Sequence, residues 1–425
     1  MAEFTAEVFQ NEYLSDGATD VHAVVSIACS GAGAAGSSGE AAAEVIIIDT
    51  SGSMDMPPNK IAAARRAGKA ALEELHEGTW FAVVSGHTVA QMVYPTHPGL
   101  AKMTEVTRSD AIAAVDHLRS GGATGIGGWI IAATQLFQQS PTAQRHAILL
   151  TDGKIEGEPE GTLDEALAAA RGVFQCDCRG IGSDWVVGEL RKISDALMGT
   201  VDIVAAPEDL EEDFASMIRT SMSRGVADAR LRVWAPQGSE VLFVRQVAPV
   251  VEDLTTRGVR ISPLVLEFPT GAWSDESRDY HVAVRVPPAP VGNERLAARV
   301  ETVVNDQVLA KALVKAIWSI DTDLTTRIDP AVAHYTGQAQ LADVIQRGLA
   351  AKSSGDDRTA TTLLGEAAKL AHDTGNEATT RLLAKVVDVV DLEAGTVRLK
   401  SQVDRADEMA LDTRSTKTTR IKREP

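Results

Sequence analysis

The chain has 425 residues and, with 41 Lys and Arg against 59 Asp and Glu, a formal net charge of −18 at pH 7. That length allows two or three domains with ample core, and the acidic balance argues against nucleic acid or an anionic membrane as partner. No apolar run approaches a membrane span, the start Met1-Ala2-Glu3-Phe4-Thr5 is not a secretory signal, and three cysteines make no disulfide framework, so a cytoplasmic location is expected.

Near the amino terminus Val21, Ala23, Val25 and Ile27 alternate with polar or small residues, as Phe4, Ala6 and Val8 do more weakly. A period of two fits half-buried antiparallel strands. Cys29 to Gly39 follows as a flexible connector by composition. Its glycines Gly31, Gly33 and Gly36 spell G-x-G-x-x-G, with Asp49 near the place of a ribose-binding acid. Ser38 to Glu44 is too short for the crossover helix that a nucleotide fold needs, so that reading is rejected.

Val45-Ile46-Ile47-Ile48 is apolar and mostly β-branched, the pattern of a strand buried on both faces of a parallel sheet. The run ends at Asp49, and Ser51 and Ser53 follow at i+2 and i+4. Loops beyond the carboxyl ends of such strands form ligand crevices, and three small oxygen-bearing side chains there suit a hard cation. Asp49-Thr50-Ser51-Gly52-Ser53 resembles the Asp-x-Ser-x-Ser motif of the von Willebrand factor A family, its metal-ion-dependent adhesion site. The family completes that site with a threonine and an aspartate from later loops. Thr124 in Gly121-Gly122-Ala123-Thr124-Gly125 and Asp152 in Leu149-Leu150-Thr151-Asp152-Gly153 match both in order. Three matching segments outweigh the alternative that Asp49 and the serines merely cap the next helix.

The resemblance covers roughly Ala43 to Met222, where strands and helices alternate as in an α/β sheet. Helices are predicted at Pro58–His76, Arg108–Leu118, Gly127–Gln138, Asp164–Val173, Val186–Leu197 and Glu208–Met222. Strands are predicted at Trp80–Ser85, Val89–Tyr94, Ala147–Leu150, Phe174–Ile181 and Val201–Val204. Cys176 and Cys178 lack metal or redox spacing and read as buried strand residues. There is no nucleophile elbow, phosphate loop or zinc pattern among the histidines.

From Asp228 to Trp318 alternation returns, in Leu231 with Val233, Val241 with Phe243, and Val282, Val284 with Val286. Prolines and glycines punctuate it as in a β-sandwich, and this sheet is the natural host for the amino-terminal strands. After Thr322 the chain reads as helical throughout, with one stripe of Leu341, Val344, Ile345 and Leu349 and others ending in Leu382, Leu383, Val386, Val387 and Val390. The expected fold is α/β: a doubly wound, mostly parallel sheet inserted in a β-sandwich, followed by a helical packet. The corresponding boundaries are 1–40 for the first sandwich strands, 41–223 for the A domain, 224–321 for the sandwich, 322–410 for the helices and 411–425 for a disordered basic tail.

The resemblance implies a non-enzymatic interaction protein that holds Mg²⁺, with Mn²⁺ or Ca²⁺ as alternatives, and offers it to a carboxylate of a protein partner. Ser51 and Ser53 would ligate, Asp49 would ligate or hold ordered water, and Thr124 and Asp152 would exchange contact with the ion as the domain switches. The rival reading is an accessory subunit of an ATP-driven machine such as a metal chelatase. A hydrolytic reading lacks a general base beyond the ligands themselves. The tail carries threonines among basic residues, and Ile421 stands three residues after Thr418, a spacing similar to that read by forkhead-associated domains. It resembles tails of actinobacterial A-domain proteins that accompany such domains and Ser/Thr kinases. Phosphorylation is therefore expected at Thr418, Thr416 or Thr419, with a forkhead-associated protein as partner.

Overall fold

The computed structural model describes residues 2–33, 42–56 and 59–421. The chain forms two compact units, one of Gly31–Ala227 with Gly271–Ser274, the other of Ala2–Ser30, Asp228–Thr270 and Asp275–Pro425. The first therefore interrupts the second in sequence.

Three strands open the interrupted unit: β1 (Glu3–Gln10), β2 (Tyr13–Leu14) and β3 (Asp20–Ser30). Cys29 and Ser30 belong to β3, opposite Phe4 and Glu3, so the chain is still in the sheet where the expected connector begins. Residues 34–39 of that connector lie outside the described residues.

The inserted unit follows as β4 (Ala42–Asp49), α1 (Asn59–Glu74), β5 (Trp80–Gly86), β6 (Ala90–Tyr94), β7 (Ala101–Lys102), α2 (Glu105–Asp116), α3 (Ile126–Gln138), β8 (Gln144–Thr151), α4 (Thr162–Ala170), β9 (Gln175–Ile181), α5 (Val187–Ala196), β10 (Val201–Val204) and α6 (Leu210–Met222). These elements fall within a few residues of their predicted places; the short edge strand β7 has no counterpart among them. Pro58, the predicted first residue of α1, lies outside the described residues. The sheet order is β10-β9-β8-β4-β5-β6, with β7 also on β5; only β6 and β7 run antiparallel.

Because β4 is central and every one of its residues is buried, its apolar run must meet helices on both sides. On one face Ile46 and Ile48 join Ala64, Ala67, Ala71 and Leu72 of α1, Ala111 and Val115 of α2, and Leu210 and Phe214 of α6. Gly68 lets α1 lie close: a Cβ there would stand 2.7 Å from Ile48 Cδ1. α3 covers the opposite face of β4 and β5.

At the amino end of this sheet lies a buried ionic network. His146 Nδ1 is 2.8 Å from Glu44 Oε2, and its Nε2 is 2.8 Å from Asp177 Oδ2. The Ser221 hydroxyl at the end of α6 donates to Glu44, and Gln144 Nε2 donates to the Ser221 carbonyl at 2.8 Å. Asp177 Oδ1 also accepts from the backbone and hydroxyl of Thr200, at 2.6 and 2.7 Å. Burial alone would pull the His146 imidazole down, but the facing Glu44 and Asp177 carboxylates outweigh it and hold it up at about 9. Asp177 in turn is held well below the ordinary carboxylate range despite its burial.

The interrupted unit resumes with β11 (Ala229–Trp234), β12 (Glu240–Ala248), β13 (Glu252–Asp253), β14 (Val259–Ser262), β15 (Val265–Pro269), β16 (Glu276–Arg285), β17 (Glu294–Val304) and β18 (Gln307–Trp318). One sheet runs β1-β3-β16-β12-β13 and the other β14-β15-β11-β17-β18-β2. The amino-terminal strands thus enter both sheets, β3 beside β16 and β2 beside β18. Next come α7 (Thr322–Thr325), α8 (Pro330–Ser353), α9 (Asp357–Asp373), α10 (Glu377–Val386), β19 (Val387–Asp391), β20 (Thr396–Leu399) and α11 (Arg405–Arg414). Asp329 caps α8 through the amides of Ala331 and Val332. α8 lays Ala331 and Tyr335 on Val24, Val247 and Ala248 of the first sheet. Among the described residues no helix is long and apolar enough to cross a membrane.

Two expectations for this region are corrected. α10 stops at Val386, and Val387 and Val390 lie in the β19–β20 hairpin, whose turn holds Gly395 at φ +66°. A Val-Val-Asp-Val-Val run favours the pleated conformation once the helix ends. The basic segment expected to be disordered is docked as far as Ile421. Val251 N–H donates to the Thr416 carbonyl at 2.8 Å and Thr418 N–H to the Pro249 carbonyl at 3.0 Å. The Thr418 hydroxyl donates to the Val247 carbonyl at 2.7 Å, and Gln338 Nε2 donates to the Thr419 hydroxyl at 3.1 Å. Arg420 Nε lies 3.3 Å from Asp279, a fully buried carboxylate that also accepts the Tyr335 hydroxyl at 2.5 Å. Ile421 packs beside Tyr335.

Candidate metal centre

Asp49 is the last residue of β4, so the strand carries its carboxylate to the carboxyl edge of the sheet. The side chain is fully buried. Oδ1 accepts from the Ser51 N–H at 2.7 Å, and Oδ2 accepts from the Thr151 hydroxyl at 2.5 Å. The Ser51 and Ser53 hydroxyls are 2.9 Å apart, and Ser53 Oγ donates to Asp152 Oδ1 at 2.6 Å.

Backbone bonds hold three loops together around this cluster. Thr50 N–H donates to the Gly86 carbonyl at 2.7 Å, Gly121 N–H to Thr50 at 2.8 Å, and Gly52 N–H to Gly122 at 3.0 Å. Gly122 has φ +82°, which lets its loop turn there. The same loop brings in Thr124, whose carbonyl accepts from the Glu156 N–H at 2.9 Å and whose side chain is buried. A Cβ on Gly153 would stand 3.1 Å from Thr124 Oγ1 and 3.4 Å from Ser53 Oγ, which places both hydroxyls against one small residue. At Gly52 the corresponding contact would be an ordinary 3.4 Å to the Gly122 carbonyl, so of these two glycines it is Gly153 that close approach needs. The structure thus brings Asp49, Ser51, Ser53, Thr124 and Asp152 to one place.

These oxygens fit a hard dication: two carboxylates and three hydroxyls, without a competing sulfur or imidazole. The buried carboxylate supports the fit. Burial pushes the Asp49 carboxyl up to about 6, against the hydrogen bonds from Ser51 and Thr151, and the neighbouring Asp152 charge adds to the rise. A cation beside it would relieve that cost. Half-buried Ser53 and exposed Gly52 give the cluster its open side.

Two members of the cluster escape a reading of spacing alone. Thr151 stands just before Asp152 and fixes Asp49. Lys60, in the first turn of α1, donates from Nζ to Asp152 Oδ2 at 2.7 Å and lies 3.4 Å from Asp184. Its sequence signal is a stripe: Lys60, Ala64, Ala67 and Ala71 share one buried face of α1. The tail threonines belong to the other unit.

A family model described as the von Willebrand factor type A domain matches residues 43–203, and one described as the von Willebrand factor type A C-terminal domain matches residues 369–415. A solved von Willebrand factor type A protein from Catenulispora acidiphila is 46% identical, over 99% of this chain and 97% of that one, with a TM-score of 0.94. The chain belongs to the von Willebrand factor type A family. A second solved structure, the ArnB paralog VWA2 from Sulfolobus acidocaldarius, matches over 97% of this chain and 98% of that one with a TM-score of 0.59. At 15% identity it shares the fold of this von Willebrand factor A chain and carries no more. No curated protein matches the sequence.

Proposed function

We propose that this von Willebrand factor A protein is a non-catalytic interaction module that holds Mg²⁺ between Asp49, Ser51, Ser53, Thr124 and Asp152 and offers it to a carboxylate of a protein partner. The observation that carries this reading is the convergence of five oxygen-bearing side chains from three loops on the open carboxyl edge of a rigid sheet. Ser51 and Ser53 would hold the ion through their hydroxyls, and Asp49 from beneath. A bound dication supplies a concentrated positive charge at a surface that otherwise presents hydroxyls. The chain's own part is to keep those oxygens in place: Thr151 and the Ser51 amide fix Asp49, and Ser53 fixes Asp152.

The test is calorimetric titration of the full chain with Mg²⁺ and with Mn²⁺, beside capture of partners in Mg²⁺ against EDTA. Saturable binding that disappears in Asp49→Ala, with capture lost in EDTA, supports the reading. Absence of any divalent-ion binding by the wild-type chain removes it.

A further inference from the structure

The most unusual side chain near the centre is Lys60. A buried cation in the first turn of a helix is unfavourable twice, through desolvation and through the positive end of the helix dipole. Here both costs are met by one partner, Asp152, whose carboxylate is itself fully buried. Asp184, the second acid near Lys60, is largely exposed at 68% and more distant, so it compensates little. One oxygen of Asp152 faces Ser53 and the other faces the ammonium. With Lys60 paired to Asp152, the charges of those two residues cancel. Among the described residues, Asp49 is then the one carboxylate of the cluster whose charge is not balanced by a neighbouring cation. A dication there would keep about one unit of positive charge beside two fully buried carboxylates, where charge is screened less than in bulk water.

We propose that Lys60 makes divalent-ion binding and carboxylate binding interdependent: by neutralising Asp152 it keeps the ion weakly held alone and tightly held once an anionic ligand completes it. The inference rests on the metal-binding reading above. Lys60 acts as a positioning and charge-setting residue that touches neither ion nor ligand. Such coupling is reciprocal, so the ion raises carboxylate affinity by the same factor as the carboxylate raises ion affinity.

The experiment measures Mn²⁺ affinity of the full chain by calorimetry, in acetate and in chloride at equal ionic strength. In the wild type, acetate should tighten Mn²⁺ binding at least about threefold. Lys60→Gln should bind Mn²⁺ in chloride at least about tenfold more tightly than wild type, and acetate should help it less. Lys60→Arg, which keeps the charge, should stay near wild type. Equal Mn²⁺ affinities in wild type and folded Lys60→Gln overturn the inference and leave the metal site standing. Indifference of the wild type to acetate overturns it as well, and needs no variant to fold. If neither chain binds Mn²⁺, the metal reading falls and the inference with it.

Discussion

Ser53 and Asp152 lie 99 positions apart in sequence and share a hydrogen bond of 2.6 Å. That bond joins the loop after β4 to the loop after β8, two neighbouring parallel strands that end at the same edge of the sheet. The geometry of the oxygen cluster is therefore a property of strand order. It should tolerate changes in the ligands while the core persists.

Asp49→Ala, or Ser51→Ala with Ser53→Ala, is expected to abolish Mg²⁺-dependent stabilisation without unfolding the chain. For an ion at one hundred times its dissociation constant that stabilisation is about 2.7 kcal/mol. Thermal melts with Mg²⁺ and with EDTA check this. Wild-type and variant curves that shift equally with Mg²⁺ would remove these residues from the site.

Gly153→Ala should keep the fold and weaken Mn²⁺ binding. The added methyl meets Thr124 Oγ1 at 3.1 Å, so one of the two must shift by a few tenths of an ångström. A displacement of that size at a metal ligand is expected to cost about 1 kcal/mol, roughly fivefold in affinity. Calorimetry on the variant reads it directly.

The amino-end network predicts a pH dependence. His146 has a folded value of about 9, above its ordinary unfolded one, so its stabilisation is fully present below the unfolded value and is lost as pH rises through about 9. The upper bound is about 3 kcal/mol between about pH 6.5 and 9. Asp177, held low, contributes above its unfolded value and loses its contribution as pH falls through the acid range. Urea denaturation across this pH range should show the alkaline decline, and His146→Leu should lose it at a cost of about 3 kcal/mol, because the buried Glu44 and Asp177 carboxylates then lose the imidazolium between them.

The docked tail makes its own prediction. Thr418 spends its hydroxyl on the Val247 carbonyl, so a phosphate there is incompatible with the docked position. Thr418→Glu should raise amide exchange in residues 415–421 and in the Val247–Val251 stretch they cover, and Thr418→Ala should cost about 1 kcal/mol. If a kinase modifies this tail, exposed Thr419 is reached more easily than half-buried Thr418.

The sheet and the oxygen-bearing residues that gather at its edge were legible because their signal lies in local spacing. Ile46 to Ser53 carries the end of a buried strand and three candidate ligands, Asp49, Ser51 and Ser53, within eight residues. Lys60 was not, since a single lysine in an alanine-rich helix resembles a solvated one unless its stripe is followed through Ala64, Ala67 and Ala71. The tail escaped for a different reason. Its partners, far away in sequence, are backbone groups of Val247, Pro249 and Val251 and the side chains of Gln338 and Asp279, and among the described residues beyond α11 it brings one apolar side chain, Ile421, with it. The hairpin after Val386 was hidden because Val387 and Val390 also continue the three- and four-residue spacing of the helix stripe.

The pairing of β3 with β16 also sets an order of events during synthesis. His22 and His281, neighbours across that pairing, are 259 positions apart. A ribosome adding roughly 5 to 20 residues per second leaves β3 without its partner for at least about ten seconds. In that interval the whole segment from β4 to α6 has emerged and can close its own core. The amino-terminal strands, meanwhile, present Val21, Val25 and Ile27 with one neighbour, β1, and an open edge. The newborn chain is thus most prone to clumping before its last third appears, and a chaperone that shields those first thirty residues would raise its yield more than any change at the adhesion site.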